Sequence, residues 1–257
     1  MDVGLRTPLL DFFRRGEVAR ELRLMAAEGA VAPRPLEQLG LLVLLSADSD
    51  AEVRTTADRT LTRLPAAQLA ALLAQTETPT ELRDFFASRG IVASELSPAP
   101  DTPLVDTDDT DYGEEEESAE QKADTAKRIA DMSVPEKVKA ALKGTREMRS
   151  ALIRDPNKMV ATAVLSCPKL SEQEVGSFAR MANVSEDILR TIGHTRAWVK
   201  NYGVLLGLTK NPKTPLAISL NFLNRLNDRD LRGVSIDRNV PEPLRLAAKK
   251  KIAMSEK

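Results

Sequence analysis

Polar and apolar residues follow one another along much of the chain with the spacing of short amphipathic helices. In LSEQEVGSFARMA (170–182), Ser171 and Glu174 have the three-residue spacing of a capping box. The residues after them recur every three or four positions, as on one helix face: Val175, Phe178, Ala179 and Ala182. SVPEKVKAALKG (133–144) likewise has Ser133 as a cap and Gly144 as a stop. These patterns predict helices.

Further helices are predicted towards the C-terminus. VSEDILRTIG begins with Ser185 as a cap and ends at Gly193, and residues 195–210 read as one longer helix. In residues 214–227, Thr214 is the predicted cap and Pro215 the first helical residue. Apolar residues surround most of this helix, which predicts neighbours on both sides, as for an inner helix of a stacked array.

The predicted helices recur along the chain. Residues 167–192 align without a gap on residues 211–236, at an offset of 44, and five positions of the alignment are identical. The identical pairs are Pro168 and Pro212, Lys169 and Lys213, Phe178 and Phe222, Asn183 and Asn227, and Ile192 and Ile236. An incomplete third copy begins near Arg238, and residues 46–90 follow a related pattern. This period is typical of an armadillo or HEAT repeat.

Four stretches, RDPNKMVATAVLSCPKL, MANVSEDIL, KNPKTPLAI and DRNVPEPLRLAA, resemble the bacterial leucine-rich repeat variant family, a relative of HEAT repeats. The resemblance covers about residues 145–250 and, more faintly, 36–90, although the turns here are irregularly spaced. It implies an α-solenoid that binds a partner and has no catalytic residues. One member of the family is associated with an iron–sulfur cluster, which the single cysteine, Cys167, does not allow here.

An acidic segment interrupts the helical patterns at residues 94–124. It has three prolines, and its 12 acidic residues against one basic residue give a net charge of −11. Few of its residues are apolar, so burial would not offset the entropy lost on ordering, and we predict a disordered linker. It divides the chain into a helical segment at 1–93 and a helical-repeat domain at 125–257.

Basic residues are concentrated after the linker. Residues 125–257 carry 25 basic and 13 acidic residues, a net charge of +12, against −2 for residues 1–93. If helix continues through NRLNDRDLR, three of the arginines share one face. The candidate binding surface comprises Arg146, Arg149, Arg154, Lys200, Lys210, Lys213, Arg225, Arg229 and Arg232.

Three interpretations of these cations stay open. They form a solvated face with local ion pairs to Asp228, Asp230 and Asp237, or they bind an acidic protein, or they bind a phosphate backbone. A further hypothesis is that the acidic segment lies on the basic domain and masks it.

The sequence offers little for catalysis. Cys167 and His194 are the only thiol and the only imidazole, and we expect a small buried residue and a helix-end residue rather than a catalytic pair. LKGTR (142–146) lacks the residue order of a P-loop. Trp198 and Tyr202 lie four residues apart, as for core or groove lining. A HEAT-like DNA glycosylase would need a carboxylate in an aromatic-lined cleft, and two tyrosines and one tryptophan make that enzyme a poor fit.

Composition and segment lengths complete the prediction. The longest apolar run, LGLLVLL (39–45), is short for a membrane span, and the first residues lack the pattern of a signal peptide, so we expect a soluble, cytoplasmic protein. We predict an all-α protein with two HEAT-like solenoid segments joined by the acidic linker. Its expected function is that of a non-catalytic scaffold or adaptor for another protein, without cofactor. A nucleic-acid-binding module is the alternative.

Overall fold

The structure of the protein is a computed structural model, which describes residues 3–32, 34–94, 103–105, 125 and 127–255. Every regular element with defined bounds in these residues is an α-helix, and they contain no β-strand, which confirms the all-α prediction. The chain divides into two compact units, residues 1–169 and 170–257.

The first unit contains nine helices among its described residues, besides helical residues at 127–131. They are α1 (Pro8–Arg14), α2 (Arg20–Ala27), α3 (Pro35–Leu45), α4 (Ala51–Arg63), α5 (Ala66–Ala74), α6 (Thr80–Ala87), α7 (Val134–Lys143), α8 (Arg146–Leu152) and α9 (Lys158–Ser166). Helices α2, α3 and α4 pack on one another, and so do α7, α8 and α9.

Helices from both sides of the acidic segment meet in this unit, because α1 packs against α9 and α2 packs against α7. Residues 159–166 of α9 are all buried, and a helix buried on every side needs several neighbours. The structure therefore groups residues 125–169 with the N-terminal helices, whereas the sequence predicted a boundary at the linker. Most of that predicted linker lies outside the described residues.

A hydrophobic cluster fills the space between α3, α4, α5 and α6. Val3, which precedes α1, belongs to this cluster and is fully buried, and Leu5 packs against it. The cluster comprises Val3, Leu39, Leu42, Val43, Leu61, Leu64, Leu69, Leu72, Leu73, Leu82 and Phe86. Leu104 and Val105, from the acidic segment, also pack against it.

The second unit contains seven helices among its described residues. They are α10 (Glu172–Arg180), α11 (Glu186–His194), α12 (Arg196–Val199), α13 (Tyr202–Lys210), α14 (Leu216–Leu223), α15 (Asp228–Ile236) and α16 (Glu242–Ser255). Helix α13 packs against α10, α11, α12 and α14, and α16 packs against α14 and α15. Most residues of α13 are apolar, which favours a position among several neighbours. Five of its nine residues are buried there.

Several local predictions are confirmed. Ser133 and Ser171 each form a capping box, with Glu136 and Glu174, and α7 ends at the predicted stop, Gly144. These signals act over three or four residues, so the surrounding fold does not need to be known. Of the apolar face predicted for α10, Val175, Phe178 and Ala179 are buried, but Ala182 lies beyond the helix and is exposed.

Other boundaries were predicted wrongly. Residues 195–210 form two helices, because the Asn201 side chain accepts hydrogen bonds from the N–H groups of Gly203 and Val204 and so begins α13. Pro215, not Thr214, occupies the N-cap position of α14, and α11 continues one residue past Gly193. Leu216 and Leu220 of α14 are exposed, so this helix is less enclosed than its composition predicted.

Candidate interaction surface

The nine predicted cations are divided between the two units. Arg146, Arg149 and Arg154 lie in or next to α8 of the first unit, and the other six belong to the second. The prediction that Arg225, Arg229 and Arg232 share a helix face is wrong. Helix α14 ends at Leu223, and Asn227 begins α15 by accepting a hydrogen bond from the Asp230 N–H.

Two of the nine cations bind helix ends inside their own unit. Arg149 is buried, and its Nη1 donates to the Gly144 carbonyl at the end of α7, 2.7 Å away. Arg225 donates from Nη2 to the Val199 carbonyl at the end of α12, also at 2.7 Å. The last carbonyls of a helix have no partner within the helix, and a cation there also interacts favourably with the helix dipole. These two arginines therefore have a structural role.

The same contact occurs at residues that sequence reasoning did not single out. Lys251 donates from Nζ to the Leu223 carbonyl at the end of α14, 2.8 Å away. Arg83 donates to the carbonyls of Leu73 and Gln75 at the end of α5, at 3.0 and 2.7 Å. The partners are 8 to 28 residues apart along the chain, so no local sequence signal identifies them.

Four of the predicted cations are exposed and make no side-chain hydrogen bond or ion pair with the described residues: Arg146, Lys200, Lys213 and Arg229. Of the others, Arg154 donates to the Ser150 carbonyl at 3.0 Å, Lys210 is half-buried, and Arg232 has a partner. Lys200, Lys213 and Arg229 all belong to the second unit and lie respectively at the end of α12, before α14 and in the first turn of α15. These three residues are called the open cations below.

Lys213 lies in a turn whose first residue, Asn211, is buried. The Asn211 Nδ2 donates to the carbonyls of Ala179 and Met181 at the end of α10, at 2.9 and 3.0 Å. Its Oδ1 accepts from the Lys213 N–H at 3.0 Å. Asn211 thus holds its own turn and ties it to the preceding helix, which leaves Pro212 and Lys213 exposed.

The same turn form recurs in the second unit. At residues 181–184, 211–214 and 237–240 the N–H of the fourth residue donates to the carbonyl of the first, at 3.1 to 3.4 Å. The fourth residue is buried in each case (Val184, Thr214 and Val240), and the two middle residues are exposed. Thr214 was predicted to cap a helix, but its Oγ1 is buried without a hydrogen-bond partner among the described residues.

The other predicted chemical groups lie in ordinary structural positions. Cys167 is buried at the end of α9 in the first unit, and His194 is exposed at the end of α11 in the second. Trp198 is half-buried, while Tyr202 is exposed. The Tyr202 hydroxyl donates to Asp230 at 2.6 Å and accepts from the Asn227 N–H, which ties the start of α13 to the start of α15. Partial desolvation of the hydroxyl and the Asp230 carboxylate raise the pKa of Tyr202.

A buried carboxyl group in the first unit was not predicted. Glu37 of α3 accepts a hydrogen bond from the Thr7 hydroxyl through Oε1, whereas its buried Oε2 has no hydrogen-bond partner among the described residues. Burial raises the pKa of Glu37, and the Thr7 hydrogen bond and the nearby Arg34 oppose that rise. Glu37 was missed because glutamate in the first turn of a helix is usually exposed.

Two features are absent from the described residues, a metal-binding cluster and a helix able to cross a membrane. Over these residues, no group of three or more histidine, cysteine, aspartate or glutamate side chains is placed to hold a metal ion. None of the helices in the described part of the chain combines the length and the apolar character needed to cross a bilayer. Comparisons with models of protein families, with curated proteins and with solved structures found no match to this chain.

Proposed function

We propose that the chain is a non-catalytic scaffold or adaptor whose second unit binds a protein partner with an acidic surface. One observation carries the proposal: the open cations are exposed and make no side-chain hydrogen bond or ion pair with the described residues. A cationic side chain without an ion pair inside its own protein contributes little to the stability of the fold. It can still form an ion pair with a carboxylate on another protein.

The carboxylates of the second unit support this proposal because several of them are used internally. Asp237 accepts from the Asn239 N–H at 3.0 Å, and Asp230 accepts from Tyr202. Glu174 is held in a capping box. Residues 170–257 contain 15 basic and 9 acidic residues, so positive charge exceeds negative charge in this unit by 6.

We further propose that the helices are HEAT-like repeats, related to the leucine-rich repeat variant family, and form an α-solenoid. Helices α9 and α13 support this, because each has nine residues and their starts, Lys158 and Tyr202, are 44 residues apart. The starts of α10 and α14 have the same separation. Successive repeats would place equivalent turn residues such as Lys213 along one surface.

The test compares two triple variants of the full chain that lose the same charge. The site variant is Lys200→Gln, Lys213→Gln and Arg229→Gln, and the control is Arg15→Gln, Arg59→Gln and Arg63→Gln, at exposed arginines of the first unit. Affinity purification from nuclease-treated extract, with quantitative mass spectrometry, should recover an acidic protein with the wild-type chain and the control but not with the site variant. Equal recovery with both variants would contradict the proposal.

The same open cations support a second candidate, a nucleic-acid-binding module, since phosphates also bind exposed lysine and arginine. A mobility-shift titration distinguishes the two, because the logarithm of a phosphate-binding constant falls linearly with the logarithm of the salt concentration. Three contacts to duplex DNA predict a slope of about −2.7 for the wild-type chain, and a flatter slope for the site variant. Salt-independent or undetectable binding at low ionic strength would exclude this candidate.

A further inference from the structure

The side chain of Gln38 binds the backbone of a distant residue. Gln38 lies in α3 and is 1 % exposed. Its Nε2 donates to the Val105 carbonyl, and its Oε1 accepts from the Val105 N–H, both at 3.0 Å. A single side-chain amide thus satisfies both backbone groups of one residue, as the neighbouring strand would in a β-sheet.

Gly29 makes room for the same residue. It follows α2, has φ +93°, and a Cβ at this position would lie 2.8 Å from the Val105 Cβ. Its carbonyl accepts a second hydrogen bond from Gln38 Nε2, at 2.6 Å. A larger residue at 29 would therefore meet both an unfavourable backbone conformation and the Val105 side chain.

The segment at this position differs from the rest of the first unit. Residues 103–105 (Pro-Leu-Val) are half-buried, and Leu104 and Val105 pack against the hydrophobic cluster. They belong to the acidic stretch 94–124, for which the sequence predicts neither helix nor core. Leu104 and Val105 lie in a bend, and they are held through one backbone amide and two aliphatic side chains. In bound peptides, backbone hydrogen bonds of this kind provide affinity and side-chain contacts provide specificity.

We propose that Gly29, Gln38 and the adjoining part of the hydrophobic cluster form a binding site for a short peptide segment of a partner protein, which residues 103–105 occupy as an internal competitor. The expected partner segment has a proline and two aliphatic residues between acidic flanks, because the sequence around residues 103–105 has that composition. This site is separate from the open cations and does not depend on the function proposed for them.

Tethering determines how this site would be regulated. A ligand that belongs to the same chain as its binding site acts at an effective concentration of about a millimolar. A free peptide whose intrinsic affinity matches that of residues 103–105 would therefore bind the intact chain weakly. Its apparent affinity would rise once substitutions weaken the binding of residues 103–105 to the site.

Fluorescence anisotropy with a labelled peptide of residues 99–111 tests the proposal on the full chain. The variant Leu104→Ser/Val105→Gly should bind this peptide at least about ten-fold more tightly than the wild-type chain. A peptide carrying the same two substitutions should not bind. Adding Gln38→Met to the double variant should weaken binding about ten-fold or more, whereas Gln68→Met, at an exposed glutamine of α5, should leave it unchanged.

Two binding results would overturn the proposal: a folded double variant that does not bind the peptide, or binding that Gln38→Met leaves unchanged.

If the double variant does not fold, hydrogen exchange on the wild-type chain tests the proposal instead. A displaceable segment predicts that the Val105 amide exchanges much faster than the amides of α3, and faster still with excess peptide. Exchange of Val105 only at the rate of global unfolding, unaffected by peptide, would show that the segment is a fixed part of the fold. Neither result bears on the open cations.

Discussion

At the scale of the residue, Asn211 both forms a local turn and holds the end of a helix that is distant in the sequence. Asparagine before proline predicts a turn from sequence alone, since its side chain accepts a hydrogen bond from the backbone two residues later. Its two bonds to the end of α10 join residues 30 and 32 positions apart, which no local pattern reveals.

We expect Asn211→Ala to lower the free energy of unfolding by about 2–3 kcal/mol, because two carbonyls at the end of α10 lose their donor in a buried site. Asn211→Asp should cost at least as much, since it places a carboxylate against those carbonyls. Urea denaturation measures the loss. The control is Asn183→Ala, in the exposed middle of an equivalent turn, with an expected effect below about 0.5 kcal/mol. Equal losses at both positions would refute the role of Asn211.

Glu37 predicts a pH dependence. Its pKa is raised in the folded protein, so the folded state binds this proton more tightly than the unfolded state does. The free energy of unfolding should therefore fall as the pH rises from the ordinary glutamate pKa through the raised value. Glutamine at position 37 does not ionise, so Glu37→Gln removes this loss. The free energy of unfolding of the variant should exceed that of the wild-type protein at about pH 8, and the difference should be smaller at about pH 5.

Glu136 serves as the control with the opposite sign. Hydrogen bonds from Ser133 lower the pKa of Glu136, so its contribution to stability is present above the ordinary pKa and is lost as the pH falls through the lowered value. Glu136→Gln should therefore destabilise the protein at about pH 8. Denaturant unfolding of both variants at the two pH values measures the difference, and a shift of the same sign in both would contradict the assignment.

At the scale of the element, caps determine where the helices begin. Ser171 was predicted because a capping box can be read over four residues, and Ser133 was predicted because serine before a helical pattern is a usual N-cap. Asn201 was missed because the residues on both sides of it favour helix, so the pattern reads as continuous. Its side chain both begins α13 and donates to Glu172 at 2.9 Å, a contact with another helix.

We expect Asn201→Ala to cost about 1 kcal/mol of stability, the usual effect of removing an N-cap side chain. Ser185→Ala is the matched control, because Ser185 occupies the N-cap position of α11 without a side-chain cap hydrogen bond. Its effect should stay below about 0.5 kcal/mol. Thermal unfolding followed by circular dichroism compares the two variants, and a larger loss for Ser185→Ala would reverse the assignment.

At the scale of the whole molecule, the grouping of helices predicts which fragments fold. A fragment of residues 125–257 keeps α7 and α9 but loses α2 and α1, which pack on them. We expect this fragment to expose apolar surface, bind a hydrophobic dye and associate, whereas residues 170–257 stay helical and monodisperse. Size-exclusion chromatography and dye fluorescence measure both properties. Equal behaviour of the two fragments would contradict the observed grouping.

The sequence by itself determined the helical class, several helix starts and several turns, because capping and the 3.6-residue period act within a few residues. Only the tertiary structure decided which side chains remain available. Arg149 and Arg225 bind helix ends, while the open cations do not. It also decided that α1 packs on α9, and that Val105 of the acidic segment contacts Gln38. These outcomes depend on contacts between residues far apart in the chain, which local patterns do not encode.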